Sequence, residues 1–501
     1  MTLLIKNVNI VGSEEKFPRE TDVFVNGDKI SAIGNLSSKS ADVVVDGNGA
    51  YLSPGFIDLN TDSDHFLSIF DDRAQEDFIA QGVTTILGGM CGASLAPILY
   101  GGLESIRKWT DIRMNVNWHR VEEFLALLEK KPLAVNFATL AGHSTIRREL
   151  ANDCIRDLTK NELAVFGETL ERAMREGAMG LSTGLSYVHC RETPYSELKF
   201  LAKIVSAHKG LYATHLKNIG TDVDESVAEA IRLAKETGVN TLISHLVPII
   251  GAEKDYEAAI EMIESLPKNS NFHFDIYPHH TTARALYTFL PAWAQNGGQE
   301  MMVHNIEDEW LRPKIFRELP DVNPDDFIAA NVPCDPTLSG KSLKDLGELY
   351  GIKKPKEVLL KLMRVTALSA IVLYKEVNYD LLKKVLKSKR ALIASNAASF
   401  KKEDPRKMFK SKGSFNTFTT FLSLTQKENL MSLEEAVQKI TLEPARKLHL
   451  ENRGVIKEGF IADLAAFKGD EVKLTVVGGN VVYRDGAFQG WFPGRILRHK
   501  T

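Results

Sequence analysis

The 501-residue sequence has few cysteines, and its first residues do not resemble a secretory signal. Both features bear on the cellular compartment of the protein. Its four cysteines are Cys91, Cys154, Cys190 and Cys334, and none belongs to a Cys-x-x-Cys pair. Widely spaced cysteines without a disulfide framework are typical of a reducing compartment. Residues 1–6 lack the basic start and the long apolar core of a secretory signal. We therefore expect a cytoplasmic protein with free thiols.

The sequence also lacks a large net charge and a long apolar run. Lys and Arg number 62 and Asp and Glu number 65, which gives a formal net charge of -3. This balance gives no basic footprint for nucleic acid, and the short basic end from residue 495 to residue 500 is predicted to be solvated. No apolar run reaches about 18 residues, so no membrane-spanning helix is expected. With 44% hydrophobic and 25% charged residues, the composition is that of a globular, soluble protein.

The two ends of the chain share a β-rich texture. Residues 3–11 and 22–33 alternate apolar and polar side chains around an Asn-Gly turn signal, and residues 461–483 repeat this texture. We predict one small β-sandwich domain built from both ends, residues 1–54 plus 451–490, followed by a tail over residues 491–501.

The middle of the chain alternates short apolar strands with amphipathic helices. The predicted strands cover residues 83–87, 133–138, 211–215, 241–245, 271–277 and 391–395, and the clearest helices cover 159–176, 224–237 and 432–450. Such alternation predicts an α/β fold with a parallel sheet, and its length predicts a (β/α)₈ TIM-like barrel over residues 55–450. The irregular, proline-containing stretch 282–350 is predicted to be an insertion that covers the barrel mouth.

Polar side chains follow several of these strands, where catalytic groups of such barrels lie. They are Asn60, Asp62, Cys91, His143, His215, His245 and Asn396. Asn60 and Asp62 are two positions apart and so would point to the same side of a strand. One cysteine with two histidines is a plausible three-ligand zinc site with one open position. The competing interpretation is that the histidines are hydrogen-bonded structural residues and that the cysteine is an inert core residue.

Longer motifs resemble those of one enzyme family. They are PGFID at 54–58, GVTTILGGMCGASLAP at 82–97, AGHSTIR at 141–147, GAMGLSTGLSY at 177–187, YATHLK at 212–217, ISH at 243–245, DIYP at 275–278, LPAWA at 290–294, GSF at 413–415 and GVIKEGFIADL at 454–464. In this order they resemble the N-acyl-D-amino-acid deacylase (D-aminoacylase) family of the amidohydrolase superfamily. The resemblance implies a TIM-like barrel with a composite β-sandwich, and a Zn²⁺ ion held by Cys91, His215 and His245.

The sequence departs from that family in one half of the site. The family's His-x-His pair, which binds a second and weaker metal, is Asn60 and Asp62 here, and its late catalytic aspartate is Asn396. We therefore expect one zinc per chain. A carboxamide cannot accept a proton from water at neutral pH, so Asn396 cannot be the base. The family's lysine after the second zinc histidine is also absent, because His245 is followed by Leu246 and Val247.

Three functional interpretations follow from this mixture. In the first, the chain hydrolyses the amide bond of an N-acyl amino acid with a zinc-polarised carbonyl and zinc-bound water, and Asp62 transfers the proton. In the second, it is a catalytically degenerate homologue that binds a small molecule or a partner. In the third, it hydrolyses cyclic amides like dihydroorotases and hydantoinases. Those relatives usually bridge two metals with a modified lysine, and Cys91 at the second strand argues against this interpretation.

Four further residues are candidates for substrate binding. Tyr187 matches a tyrosine at the substrate pocket of the family, and His279 replaces the second tyrosine of its Tyr-Pro-Tyr pattern. Arg284 suits a substrate carboxylate because a guanidinium can bind it through two hydrogen bonds, and Lys217 is the alternative. His143 is expected near the barrel mouth. Each of these residues also has a structural interpretation, and the sequence leaves the substrate side chain and the oligomeric state open.

Overall fold

The structure is a computed structural model that describes residues 1–106, 115–151, 154–401 and 408–500. In these residues the strands are β1 Thr2–Ile10, β2 Thr21–Asn26, β3 Lys29–Gly34, β4 Val43–Asp46, β5 Tyr51–Pro54, β6 Phe56–Asp58, β7 Val83–Gly88, β8 Asn136–Thr139, β9 Ala141–Gly142, β10 Gly180–Gly184, β11 Leu211–His215, β12 Asn240–Ile243, β13 Phe272–Ile276, β14 Thr282–Ala285, β15 Phe327–Asn331, β16 Ile371–Tyr374, β17 Ala391–Ile393, β18 Leu464–Lys468, β19 Glu471–Val477, β20 Asn480–Arg484 and β21 Ala487–Phe488.

The helices of the same residues lie mainly between these strands. They are α1 Ser68–Asp71, α2 Glu76–Ile79, α3 Val121–Lys130, α4 His143–Ala151, α5 Lys160–Arg175, α6 Val188–Arg191, α7 Tyr195–Ala207, α8 Val223–Thr237, α9 Glu253–Glu264, α10 Gly298–Glu307, α11 Arg312–Glu318, α12 Leu343–Tyr350, α13 Pro355–Val365, α14 Tyr379–Val385, α15 Lys412–Glu428, α16 Leu433–Ile440 and α17 Leu442–Lys447. No helix in the described ranges has both the length and the apolar character needed to cross a membrane.

Two of the predicted helices match and one does not. α5 and α8 occupy the predicted stretches, and the side chain of Thr159 caps α5 by accepting a hydrogen bond from the Glu162 amide. The single helix predicted over 432–450 was wrong. It is divided into α16 and α17 at Thr441, whose backbone angles (φ -133°, ψ -77°) are not helical.

The parallel strands run in two sheets that share one direction. One sheet has the order β6-β7-β8 and the other β17-β13-β12-β11-β10-β9. β8 leads directly into β9 through Leu140, whose N–H donates to the Gly88 carbonyl at 3.0 Å. A parallel bridge joins Thr61 to Ala397, so the segment after β17 lies beside the segment after β6. The prediction of an α/β fold with parallel strands is confirmed.

The two ends of the chain meet in a separate nine-stranded sheet. Its order is β21-β20-β19-β18-β5-β1-β2-β3, with β4 paired to β1. β18 pairs with β5 in antiparallel register, Leu464 opposite Pro54, and this pairing joins the C-terminal strands to the N-terminal ones. Alternating residues of β1, such as Leu3 and Ile5, are buried in an apolar cluster with Val476. Leu4 between them is also fully buried, so both faces of β1 are covered at this point.

The segment between β13 and β17 carries its own small core. β14, β16 and β15 form a three-stranded antiparallel sheet, from Thr282 to Tyr374. A distinct apolar cluster between Leu286 and Val372 fills the space between this sheet and its helices. The segment can therefore pack largely on itself.

The C-terminal tail is attached to the rest of the chain. The Phe137 N–H donates to the Arg495 carbonyl at 3.0 Å, and the Leu497 N–H donates to the Phe137 carbonyl at 2.8 Å. His499 Nε2 lies 2.6 Å from the His208 carbonyl oxygen. The side chains of Arg495 and Lys500 stay largely exposed, as expected for a basic end, while the backbone of the tail pairs with β8.

Candidate metal centre and substrate cavity

Three side chains from the ends of three parallel strands, one in the first parallel sheet and two in the second, converge. Cys91 follows β7, His215 ends β11 and His245 follows β12. One ligand atom from each residue lies within 4.8 Å of the others. The Sγ atom of Cys91 is 3.5 Å from Nε2 of His245, and the two imidazole rings meet edge to face at 4.3 Å between centroids. The sequence-predicted ligand set is thus brought together, because carboxyl ends of parallel strands lie on one side of the sheet.

The backbone at two of these residues is bent into an unusual conformation. Cys91 has φ 52° and His245 has φ 38°, in the left-handed region that residues other than glycine seldom adopt. Such strain persists where the surrounding structure holds it, and it clusters at functional sites. Gly184 permits the close approach of the Cys91 loop, since a Cβ at Gly184 would lie 2.3 Å from the Cys91 carbonyl oxygen.

The chemistry of these three groups fits zinc. A thiolate and two imidazoles are the soft and borderline ligands that zinc prefers, and three protein ligands leave a position for substrate. Burial lowers the pKa of His245 to about 4, so its imidazole is neutral at pH 7, as a metal ligand must be. Among the residues that the structure describes, no second group of three Cys, His, Asp or Glu side chains has this geometry.

The altered half of the site is occupied by hydrogen bonds among its own residues. The Asn60 amide group donates to both carboxylate oxygens of Asp275, at 3.3 and 3.2 Å. The same Asp275 accepts the His245 N–H at 2.8 Å, and burial raises the pKa of Asp275 to about 7. The Asn396 N–H donates to the Asn60 carbonyl at 2.9 Å. Asn60 and Asn396 therefore connect strand ends and carry no charge.

Asp62 has a partner that the sequence analysis missed. Its Oδ1 lies 2.8 Å from Nδ1 of His65, and Nε2 of His65 lies 2.9 Å from the Ala93 carbonyl oxygen. Burial alone would lower the pKa of His65, but the nearby carboxylates of Asp64 and Asp62 raise it. The only sequence signal was a histidine three residues after Asp62 in a polar turn.

A cavity of about 310 Å³ opens beside the three converging side chains. Its lining includes Cys91, Ser186, Tyr187, Arg191, His215, Lys217, His245, Val247, Arg284, Glu376 and Asn396. The described lining does not include Asn60 or Asp62. The Tyr187 ring lies 5.1 Å from the His215 ring, between centroids. The cavity therefore places apolar and cationic groups next to the candidate metal ligands.

Arg284 is held in place within this cavity. Its Nη1 lies 3.2 Å from Oε2 of Glu376, and its guanidinium lies 4.5 Å from the centre of the Phe289 ring. Thr282 donates a hydrogen bond to the other carboxylate oxygen of Glu376 at 2.5 Å. The pair comes from β14 and the residues after β16, so the insertion supplies it.

Two candidates for substrate binding lie elsewhere. His143 is fully buried outside the described lining, and its Nε2 lies 2.9 Å from Oε1 of Glu197, so the prediction that it contacts substrate is not supported. His279 lines a small adjoining pocket with Asn396, and its Nε2 lies 3.3 Å from the Thr417 hydroxyl. Burial lowers the pKa of His279 to about 3.

Comparisons with known proteins give a consistent result. The model of the Amidohydrolase family matches residues 294–482. The D-aminoacylase of Alcaligenes xylosoxydans xylosoxydans is 27% identical over 516 aligned residues, which cover 99% of this chain and 97% of that protein.

Two solved structures match over the whole length. One is a D-aminoacylase whose binuclear metal centre shows one-metal activation and second-metal attenuation. It has a TM-score of 0.81 at 25% identity and covers 99% of both chains. The other, an N-acyl-D-glutamate deacylase from Bordetella bronchiseptica with zinc and a phosphonate inhibitor, shares the fold with a TM-score of 0.81 at 24% identity and 99% coverage of both chains.

Proposed function

We propose, from its similarity to D-aminoacylases over nearly its whole length, that the chain hydrolyses the amide bond of N-acyl amino acids, those of the D series first. The observation that carries this proposal is the convergence of Cys91, His215 and His245 within 4.8 Å at the edge of a substrate-sized cavity. Fold alone would not assign the reaction, since one fold serves many functions.

The three converging residues would hold one zinc ion. Zinc bound there acts as a Lewis acid toward an amide carbonyl and toward water. The single-metal stoichiometry is supported by Asn60 and Asn396, which are bonded to other protein groups and offer no anionic ligand. One-metal activation in the D-aminoacylase relative is consistent with a site of this kind.

Asp62 is the proposed proton acceptor. Its side chain keeps 5% of its surface exposed, and its charge is felt at His245 and at Tyr187, two residues of the cavity wall. His65 fixes the orientation of the carboxylate through Oδ1. Because Asp62 lies outside the described lining, the proton reaches it through water rather than by direct contact with substrate.

The cavity wall provides the groups for substrate recognition. Arg284, oriented by Glu376, would bind the substrate carboxylate, and the buried ring of Tyr187 would pack beside the scissile amide. Leu246 and Val247, which follow His245 where the family has a lysine, make that part of the wall apolar. His279 would shape the adjoining end of the pocket.

The architecture serves this site as follows. If β8 and β9 are counted as one strand, eight parallel strands form a closed barrel over residues 55–450. The nine-stranded sheet forms the β-sandwich of residues 1–54 and 451–490. The insertion that starts at Thr282 acts as a lid, since its Arg284 and Glu376 line the cavity. None of the four cysteines, all of which lie in described residues, belongs to a disulfide, which supports a reducing, cytoplasmic location.

The degenerate, non-catalytic alternative is not favoured, because the full-length relatives are deacylases. The test is release of free amino acid from a panel of N-acetyl-D- and N-acetyl-L-amino acids by zinc-loaded protein. Hydrolysis of D substrates by the wild type, and its absence in a Cys91→Ala variant, is the expected result. No release from any substrate by protein that contains zinc would overturn the proposal.

A further inference from the structure

A second set of interacting polar side chains lies behind the cavity wall, at the junction of α4, α6 and α7. The Cys190 Sγ is 3.6 Å from Nδ1 of His143, and Nε2 of His143 is 2.9 Å from Oε1 of Glu197. Arg147 donates from Nε to the same carboxylate oxygen at 3.0 Å. The four groups thus form a chain from thiol to imidazole to carboxylate to guanidinium.

This chain of groups is closed to substrate. Cys190 and His143 have no exposed surface, and Glu197 and Arg147 are each 3% exposed. A cysteine beside a histidine and a carboxylate has the composition of a nucleophilic site, but a nucleophile must touch its substrate. The burial therefore excludes that role and leaves a structural or positioning one.

Resting on the proposed function, we infer that Cys190 and His143 form a buried thiolate–imidazolium pair that positions the α6 wall of the substrate cavity. Glu197 lies at one ring nitrogen of His143 and Cys190 at the other, so in the proposed charge state the protonated imidazole donates to both. The set then holds two negative and two positive groups, which limits the cost of burying them.

The other titratable and charged groups around the pair agree with this assignment. His189 comes from α6 itself, and Tyr287 faces Cys190 from the insertion. Burial would raise the pKa of the Cys190 thiol, but His189 and His143 lower it well below its usual range. Burial would likewise lower the pKa of His143, but Cys190 and Glu197 raise it to about 9.

The Cys190–His143 pair can affect substrate binding because α6 forms part of the cavity wall. Tyr187, at the N-cap of α6, lines the 310 Å³ cavity together with Val188 and Arg191. A second cavity of about 330 Å³ lies on the other side, lined by Val188 and His189. Within this four-residue helix Cys190 is the buried residue. The partition between two cavities therefore depends on the contact that Cys190 makes.

The charge state is tested by ultraviolet absorbance, because a thiolate absorbs where a thiol does not. At neutral pH we expect wild-type protein to show one thiolate more than a Cys190→Ser variant. A Cys334→Ser variant removes an exposed cysteine outside this set of groups and should match the wild type. Equal absorbance of wild type and Cys190→Ser would overturn the inference.

A second measurement uses only wild-type protein, so it does not depend on whether a variant folds. In histidine-labelled wild-type protein, the assigned nitrogen chemical shifts of His143 should report an imidazole protonated at both nitrogens above pH 7, and the shifts of His65, whose pKa is also raised, must be assigned separately. A neutral His143 in that spectrum would overturn the inference even if Cys190→Ser were unfolded. Both measurements are independent of turnover, so they stand if the proposed deacylase activity fails.

The positioning role is tested by kinetics on whichever N-acyl amino acid the panel identifies. Cys190→Ser should raise KM about tenfold with little change in kcat, because the metal ligands are untouched. Cys190→Asp restores an anion beside His143 and should recover most of the lost KM. Unchanged KM in Cys190→Ser, or no recovery in Cys190→Asp, would overturn the positioning role.

Discussion

The Oδ1 atom of Asp62 and the Nδ1 atom of His65 are 2.8 Å apart, and both side chains are buried. His65 thus holds the carboxylate of Asp62, which stands where the resembled family has the second histidine of its His-x-His pair. A buried carboxylate with an oriented donor on one oxygen has its other oxygen fixed in direction. This arrangement separates a proton-transfer role from metal binding and allows each to be tested.

Asp62→Asn should lower kcat by about two to four orders of magnitude, which is the usual contribution of a general base. Zinc content should stay at the wild-type level, because Asp62 lies outside the group of converging ligand atoms. The measurement is kcat together with zinc by elemental mass spectrometry. Asp72→Asn changes a buried carboxylate bonded to Ser399 and serves as the control. Wild-type turnover in Asp62→Asn would place the base elsewhere.

Protein purified without added metal should contain about one zinc per chain, since three ligands from the described residues form one site. Cys91→Ala should lose that zinc and all turnover, whereas Cys334→Ala should keep both because Cys334 is exposed. Elemental mass spectrometry before and after dialysis against a chelator measures this. Two tightly held ions per chain would contradict the single-metal site.

Arg284→Met should lower kcat/KM by roughly 10- to 100-fold, because a charged hydrogen bond to a substrate carboxylate contributes about 1.5–3 kcal/mol. The effect should be small on a substrate whose carboxyl group is amidated, which the wild type should already use poorly. Lys217→Met is the matched comparison, since Lys217 also lines the cavity. A larger loss in Lys217→Met than in Arg284→Met would assign the carboxylate to Lys217.

The stability of the fold should rise between about pH 8 and pH 10.5 through Lys439. Burial lowers the pKa of Lys439 to about 8, and its Nζ donates to the carbonyls of Ser388 and Ala391. Between its folded and unfolded pKa values the unfolded chain binds more protons, so the free energy of unfolding increases with pH across this window. Below about pH 8 both states bind the proton, and this contribution no longer changes with pH. Urea unfolding of wild type and Lys439→Met across this range measures it. An identical slope in both proteins would contradict the assignment.

Much of the metal centre could be predicted from local sequence. Cys91, His215 and His245 each follow an apolar strand, and the carboxyl ends of parallel strands meet on one side of a sheet. Strand position placed these three among seven candidates, and the resemblance to the D-aminoacylase family selected them as a ligand set. The division of the 432–450 helix was not predictable in this way, because its apolar spacing continues across Thr441 while the backbone does not.

Other relationships depended on contacts between distant segments. Arg284 and Glu376 are 92 residues apart, and their pairing required the antiparallel register of β14 with β16. His143 was expected near substrate because it follows a strand, but α4 begins at that residue and buries its ring beside Glu197. The charge of the C-terminal tail predicted a solvated end and did not indicate that its backbone forms hydrogen bonds with β8.

The sequence by itself indicated the α/β alternation and the polar residues at strand ends, and the resemblance added that Asn60 replaces a histidine and Asn396 an aspartate. The first two follow from periodicity and residue chemistry, which are local properties. The tertiary structure alone decided which side chains pair: Asp62 with His65, Arg284 with Glu376, and Cys190 with His143. Side-chain direction depends on backbone angles and on the packing of neighbouring elements, and the spacing of residues along the chain determines neither.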